Sequence, residues 1–338
     1  MSKSFGPDES LPFPSVWESD PTRRAALDAL LAGNPQHRFA AGDRIMSQGE
    51  AAGWFAYITA GAADVSRNSP TGAVHIGVAG PGSIVGELAL ITGAPRSATV
   101  TATTDVVIAI GDATDLDRVL TDHDIAEAIA RVVADRLARL AEPVAFTLAD
   151  GLTFHLRPGL SSDGNALAAG LAAMSRESLR RRFFSAGMPP ESVVRYLLDV
   201  NYIDHFAWVA IDADDPQSPT IGSARFIRSR SDHSEADIGV GLIDRMQGRG
   251  IGTLLLEALS VAAATAGIEH FTADVLRENR AMRQLLRRPS TKWTGSEPGV
   301  VHAVTEVREF GGTFDPDVRD RLEAVASSII WHSAAVLL

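Results

Sequence analysis

One stretch limits the architecture more than any other: EADIGVGLIDRMQGRGIGTLLLEALSVAAA, residues 235–264. Glu235, Asp237 and Gly239 alternate with Ala236, Ile238 and Val240, so a strand here points both carboxylates to one face. The turn QGRGIG follows at residues 247–252, and Leu254, Leu255, Ala258, Leu259 and Ala262 then share one face of a helix. Strand, glycine-rich turn and helix in that order present consecutive backbone N–H groups at a helix N-terminus, where the macrodipole favours a pyrophosphate. Gly248, Gly250 and Gly252 let the backbone approach phosphate oxygens with no Cβ in the way. An ordinary strand-to-helix turn also uses such a hexapeptide for its dihedrals; the carboxylate strand before it and the amphipathic helix after it favour the cofactor site.

The chain has 338 residues, enough for about two domains. Its net charge of −11 argues against a general nucleic-acid or anionic-membrane partner, because both require a basic face. With no cysteine, disulfides, thiolate metal sites and a cysteine nucleophile are excluded, and no metal site is expected. Residues 1–10 lack the basic end and apolar core of a secretory signal, and no apolar run approaches the ~20 residues of a membrane span. A cytoplasmic monomer is the expectation.

Residues 1–20, rich in Pro, Ser, Asp and Glu, read as a loosely held arm. Residues 21–32 read as a short helix with Asp20 as N-cap and Pro21 at its first position. A β-rich segment over residues 39–67, with glycines at 42, 49, 53 and 61, suggests a small barrel of short hairpins. Residues 85–100, VGELALITGAPRSATV, resemble the phosphate-binding cassette of cyclic nucleotide-binding domains, and the resemblance covers residues 39–140. It implies a cAMP site built from Gly86, Glu87, Leu88, Ala89, Arg96, Ser97 and Ala98. A cyclic nucleotide offers one negative charge and one free ribose hydroxyl. Arg96 can fork onto the exocyclic phosphate oxygens, and Glu87 can accept the 2′-OH. Backbone N–H groups near Leu88 and Ala89 and the Ser97 hydroxyl would add donors. Ser97-Ala98 fits cAMP better than cGMP by the same resemblance. The alternative is that Glu87 and Arg96 pair with each other to pin a loop. Residues 122–140 have the apolar spacing of a helix, on which Arg136 either covers adenine, as the resemblance implies, or is a solvated charge. Glu142-Pro143 ends that helix and marks the domain boundary.

In the second half, residues 144–158 form two β-like runs around Asp150-Gly151, a tight-turn dipeptide. Helices are expected over 164–174, 175–184, 190–200, 279–288 and 316–330, and strands over 205–213, 221–227, 237–243, 270–275 and 299–307. Arg180, Arg181 and Arg182 read as a solvated helix face or as ion-pair partners. This order, with Gln-x-x-Gly-x-Gly after a strand, resembles the GNAT acetyltransferase superfamily over residues 147–310. The resemblance implies acetyl-CoA held by Val240, Leu242, Gln247, Gly248, Arg249, Gly250, Ile251, Gly252, Thr253 and Asn279. Asn279 also suits an N-cap, and the two roles are compatible. Transfer to a lysine amine, pKa ~10.4, needs a base or ordered water path, for which Asp237 and Glu235 are the candidates. Charge on the thioester oxygen can be met by backbone N–H groups around residues 240–242.

The fold class expected is a two-domain α+β chain: a small β-barrel with flanking helices over residues 21–142, then a mixed α/β sheet with helices on both faces over 143–310. Residues 311–338 would add a helical extension. Together the halves resemble actinobacterial cAMP-regulated protein lysine acetyltransferases. That family implies acetyl-CoA as cosubstrate, cAMP as allosteric ligand, protein lysines as acceptors, and acyl-CoA synthetases as a target class. It also implies a lid, formed by the segment after Gly311 or by residues 164–174. Family members carry glutamate where Ala236-Asp237-Ile238 places the shorter acid, and Glu235 on the same face can substitute. No tyrosine lies within residues 279–289, so CoA would leave as thiolate or through water. Rival readings are a cAMP sensor whose CoA-binding half is weakly active or inactive, transfer to a small-molecule amine, and a cAMP-responsive transcription regulator, which the strand-rich second half disfavours.

Overall fold

A computed structural model describes residues 21–69, 72–185, 187–213 and 220–337, so the arm expected over residues 1–20 lies outside the described residues. The described residues divide into two compact units, those up to 136 together with those from 332 onward, and those from 137 to 331.

In the first unit, α1 (Pro21–Leu31) starts on a proline whose fixed φ suits a first helical turn, and it buries Leu27 and Leu31 one turn apart. Eight short strands follow: β1 (Gln36–Phe39), β2 (Arg44–Met46), β3 (Phe55–Ala60), β4 (Ala63–Ser69), β5 (Gly72–Ala79), β6 (Ile84–Val85), β7 (Thr99–Ala102) and β8 (Val106–Gly111). The helix α2 (Glu87–Thr92) is inserted between β6 and β7, and α3 (Ala113–Leu120) and α4 (His123–Leu140) come after β8. The strands form two antiparallel four-stranded sheets, β1-β8-β3-β6 and β2-β7-β4-β5. Both supply one core, in which Met46, Val65 and Val100 meet Ile58, Val85 and Ile108. The expected barrel is therefore an open sandwich. Register shifts in β2, β3 and β4 bend the sheets over one another without joining their edges. Asp112 and Asp115 close α3 with a reciprocal capping box, a helix start that the sequence reading passed over.

The second unit is built on an eight-stranded sheet. In chain order its elements are β9 (Val144–Thr147), β10 (Thr153–Pro158), α5 (Gly164–Ala172), α6 (Arg176–Phe183), α7 (Glu191–Leu198), β11 (His205–Asp212), β12 (Gly222–Arg228) and β13 (Glu235–Leu242). Then come α8 (Ile251–Thr265), β14 (His270–Leu276), α9 (Arg280–Leu285), β15 (Lys292–Gly295), β16 (Val300–Glu306) and α10 (Pro316–Ala335). The sheet order is β15-β16-β14-β13-β12-β11-β10-β9, antiparallel except between β13 and β14, which α8 connects as a crossover. Trp208, fully buried, donates its indole N–H to the Ala258 carbonyl of α8 at 2.9 Å. One apolar face was too narrow an expectation for α8. From Leu255 to Ala263 every residue is buried, including Glu257, whose carboxylate accepts the Thr313 and Phe314 N–H groups at 3.1–3.3 Å. A buried acid with backbone donors satisfies itself without leaving the core. Strand β15 was also not expected, since its mostly exposed Lys-Trp-Thr-Gly carries no apolar alternation.

Candidate functional site

The site in the second unit is created by a divergence. β13 pairs with β12 along residues 236–242, but with β14 only at Glu235, Ala236 and Asp237. Past Asp237 its β14 edge has no ladder partner, so backbone groups there are open to the amides of an extended ligand. The glycine turn closes the far end. Gly248 and Gly250 have φ of +73° and +87°, a left-handed conformation that residues with a Cβ avoid, and Gly250 is the N-cap of α8. Gln247 Nε2 donates to the Leu242 carbonyl at 3.2 Å and to Ser178 Oγ at 3.0 Å. Ser178 donates in turn to Asp244 at 2.9 Å, and Asp244 also accepts the Ser175 N–H and hydroxyl at 2.7 Å each. The start of α6 is thus fastened to the turn.

A cavity of about 330 Å³ lies along this opening. Eight of the ten residues expected at acetyl-CoA line it: Val240, Leu242, Gln247, Gly248, Gly250, Gly252, Thr253 and Asn279. Arg249 and Ile251 do not. Arg249 pairs with Asp150, its Nε 2.8 Å from Oδ2, and Ile251 is fully buried. Asn279 Oδ1 accepts the Met282 N–H at 3.1 Å, so its cap role is realised at the cavity wall. Met174, Ser178, Arg181, Arg182, Met282 and Leu285 also line the cavity and were not foreseen. No tyrosine does.

Asp237 and Glu235 lie beside this cavity rather than in its wall. Asp237 keeps exposed surface, yet the protein crowds it closely, and burial pushes its carboxyl up to about 6. Arg182 and His302 oppose that rise, while Asp274 adds to it. Such a carboxylate is a better proton acceptor than an ordinary aspartate. Arg182 departs from its neighbours: Arg180 pairs with Glu278 and Arg181 with Glu177, but Arg182 turns inward and lies against Gly239. A Cβ on Gly239 would stand 2.2 Å from its Nη2, so the bare glycine makes that position available. Arg182 follows buried Ser178 and Leu179 by four and three residues, which puts it on the buried side of α6.

In the first unit, Gly86, Glu87, Leu88, Ala89, Arg96, Ser97, Ala98 and Arg136 all line one cavity of about 40 Å³. Arg96, 4% exposed, donates to the Gly86 carbonyl at 2.7 Å and the Trp54 carbonyl at 2.5 Å, and its guanidinium lies 5.1 Å from the centre of the Trp54 ring. Burial pulls its pKa down against the opposing charges of Glu87 and Glu50. Glu87 is not paired with Arg96. One of its carboxylate oxygens accepts from Arg136, which also donates to the Ile84 carbonyl at 2.8 Å. Both Glu87 and Arg136 are buried, so the solvated-charge alternative for Arg136 falls. The second Glu87 oxygen, Oε2, is buried with no partner among the described residues. An orphaned acceptor beside a guanidinium fits a ligand that brings a hydroxyl and an anionic oxygen together. Gly86 leaves the necessary space: at φ +87°, a Cβ there would lie 2.4 Å from Arg96 Nη1.

Among the described residues, no cluster of acidic and histidine side chains is placed to hold a metal ion, and no helix is long and apolar enough to cross a membrane. A sequence profile of the cyclic nucleotide-binding domain matches residues 36–123, and one of the acetyltransferase (GNAT) domain matches residues 154–289. Over 309 residues the chain is 33% identical to acetyltransferase Pat of Mycolicibacterium smegmatis, covering 91% of this chain and 92% of that protein. The chain belongs to the Pat acetyltransferases. A solved structure described as a cAMP-binding acyltransferase from Mycobacterium smegmatis is 30% identical, covers 92% of each chain and has a TM-score of 0.48. The GNAT domain of S. lividans PAT is 25% identical over 48% of this chain and 96% of that one, with a TM-score of 0.44. As a Pat-family chain, it is an N-acetyltransferase joined to a cyclic nucleotide-binding domain. The cassette through Ala98 falls in the first matched span, and Asp237, the glycine turn and Asn279 fall in the second.

Proposed function

We propose that cAMP, held by the cassette, controls transfer of an acetyl group from acetyl-CoA to the side-chain amine of protein lysines. The observation that carries the transfer reading is the opening of β13 from β14 at Asp237, with a left-handed glycine turn at its far end. Backbone groups of residues 238–242 hold the pantetheine arm, and the turn with Thr253 holds the pyrophosphate. Asp237 takes the proton of the lysine amine as it attacks, directly or through a water that makes up for the shorter side chain. Backbone N–H groups near Val240 and Leu242 stabilise the charge that develops on the carbonyl oxygen. CoA departs as thiolate or takes its proton from water, there being no tyrosine in the cavity wall.

At the cassette, Arg96 meets the cyclic phosphate and Glu87 Oε2 meets the ribose hydroxyl, with Ser97 and Ala98 beside them. Arg136, already bound to Glu87, orients that carboxylate. Tenfold activation requires cAMP to favour the active state by about 1.4 kcal/mol. The segment after Gly311 or residues 164–174 would act as the lid, and Glu257 ties Thr313 and Phe314 of the former to α8. The acceptors are cytoplasmic proteins with a reactive lysine, acyl-CoA synthetases among them, and the acting species is a monomer. Acetylation of an acyl-CoA synthetase, mapped by mass spectrometry, tests this reading. A modified lysine that disappears with Asp237→Asn supports it, and tight CoA binding without transfer to any lysine sinks it.

A further inference from the structure

Beside the cofactor cavity lies a second one of about 40 Å³, walled mostly by apolar residues with Arg182, Thr220, Ser223 and Arg225 among them, and sharing Met174, Arg182, Gly241 and Leu242 with its neighbour. Strand register places Arg225 opposite Gly239 and Ser223 opposite Gly241, so these side chains stand on the same face of the sheet as Asp237. Arg225 is 4% exposed. All its hydrogen bonding falls on Nη1, which donates to the Leu197 carbonyl at 2.6 Å and lies 3.1 Å from His205 Nε2. Its Nε is buried with no partner among the described residues. Arg182, the other cation of this cavity, makes no hydrogen bond among the described residues and rests over the Phe183 ring at 5.2 Å.

Two guanidinium groups therefore share a small cavity, and neither forms an ion pair among the described residues. Asp237 is the acid that acts on Arg182 through space, and it balances one charge at most. Burial and the charge of Arg182 pull Arg225 down to about 9, so it remains a cation at neutral pH. Buried charges are ordinarily paired, and a fork-shaped donor set suits a carboxylate above other anions of this size. The cavity shares four wall residues with the larger one, Met174, Arg182, Gly241 and Leu242, and Ser223 and Arg225 stand on the sheet face that carries Asp237. On the same measure a water occupies ~10–15 Å³, so there is room for a carboxylate on a short tether and none for a long chain.

We propose that this site accepts short acyl-CoA thioesters whose acyl chain ends in a carboxylate, malonyl or succinyl, with Arg182 and Arg225 receiving that carboxylate. The inference rests on the acyl-CoA reading of the larger cavity. The chemistry is otherwise that of acetyl transfer. The lysine nitrogen forms the amide bond to the thioester carbonyl, its proton passes to Asp237, and the C–S bond breaks with its electron pair leaving on CoA. The distal carboxylate takes no part in bond making. Transfer of such an acyl group would turn a lysine cation into an anionic amide rather than a neutral one.

Calorimetric titration of the full chain with CoA, butyryl-CoA and succinyl-CoA tests this, butyryl being the neutral counterpart of succinyl. The expected result is succinyl-CoA binding at least tenfold tighter than butyryl-CoA, with the ratio falling to about one in Arg225→Met and in Arg182→Met. Thermal melting verifies that the buried Arg225→Met variant folds, and half-buried Arg182 supplies the second, milder variant. Failure of CoA itself to bind would overturn the underlying acyl-CoA reading. CoA binding with equal affinities for the two thioesters overturns this inference alone. If the variants weaken an acceptor peptide and leave the thioester ratio intact, the carboxylate belongs to the acceptor and the proposal is wrong.

Discussion

Lowering the pH through 6 should switch off Asp237. Crowding pushes this carboxyl from an ordinary 3.8 to about 6, while Arg182 and His302 hold it from rising further. A general base works only when ionised. One unit below its pKa a carboxylate is ~10% ionised, so near pH 5 the competent fraction falls about tenfold, where an unperturbed aspartate would retain about nine-tenths. The acceptor amine, pKa ~10.4, contributes a slope of about one in log rate per pH unit throughout. Log kcat/KM should therefore climb with a slope of about two below pH 6 and about one above it. Initial rates of acetyl transfer to a lysine peptide, taken from roughly pH 4.5 to 8, give the profile. Asp237→Asn should lower the rate by about 10²–10⁴-fold and remove the break. Arg182→Met, which deletes the charge that restrains the pKa, should move the break upward. A profile with no break near 6, or with the break surviving in Asp237→Asn, would refute the assignment of Asp237 as base.

Three further outcomes follow from the same interactions. Glu87→Ala removes the carboxylate paired with buried Arg136 and should cost about 3–5 kcal/mol, measured by urea unfolding, with the Glu87→Met/Arg136→Met double variant recovering most of it. Unchanged stability in the single variant would mean that the pair is not formed in solution. Gly86→Ala forces a Cβ into a left-handed position 2.4 Å from Arg96, costing about 1–2 kcal/mol; calorimetry should show cAMP affinity down by about tenfold or more. His205 is buried beside Arg225 and depressed to about 4, so the unfolded chain protonates first, at 6.5. Its contribution to the second unit is fully present above pH 6.5 and is lost as pH falls towards 4, amounting to about 3 kcal/mol; His205→Gln should flatten that decline in unfolding curves.

Much of this was legible in the chain because the informative residues act locally. Strand alternation at Glu235–Leu242, the glycines of the turn and the cassette string are short-range patterns, and most expected elements appear within a few residues of their expected bounds. What stayed hidden depends on side chains meeting across long separations. Arg182 looked like one of three surface arginines; only the approach of α6 to β13 sets it against Gly239 and apart from its neighbours. Arg225 sat in an ordinary apolar strand, and its burial beside His205 follows from pairing with β11 and β13. The pairing of Glu87 with Arg136 was not foreseen, because α4, which carries Arg136, lies 49 residues away. Sheet closure was equally non-local, since strands far apart in the chain pair into two separate four-stranded sheets.

The central claim is that cAMP in the first unit governs acetyl transfer in the second. Its most direct test is the initial rate of transfer from labelled acetyl-CoA to a lysine of an acyl-CoA synthetase, with and without saturating cAMP, in the intact chain and in Arg96→Ala. The account predicts a rate that changes with cAMP in the intact chain, and loss of that response in the variant, with its cAMP-free rate retained. A transfer rate indifferent to cAMP, or a response of equal size in Arg96→Ala, would contradict it.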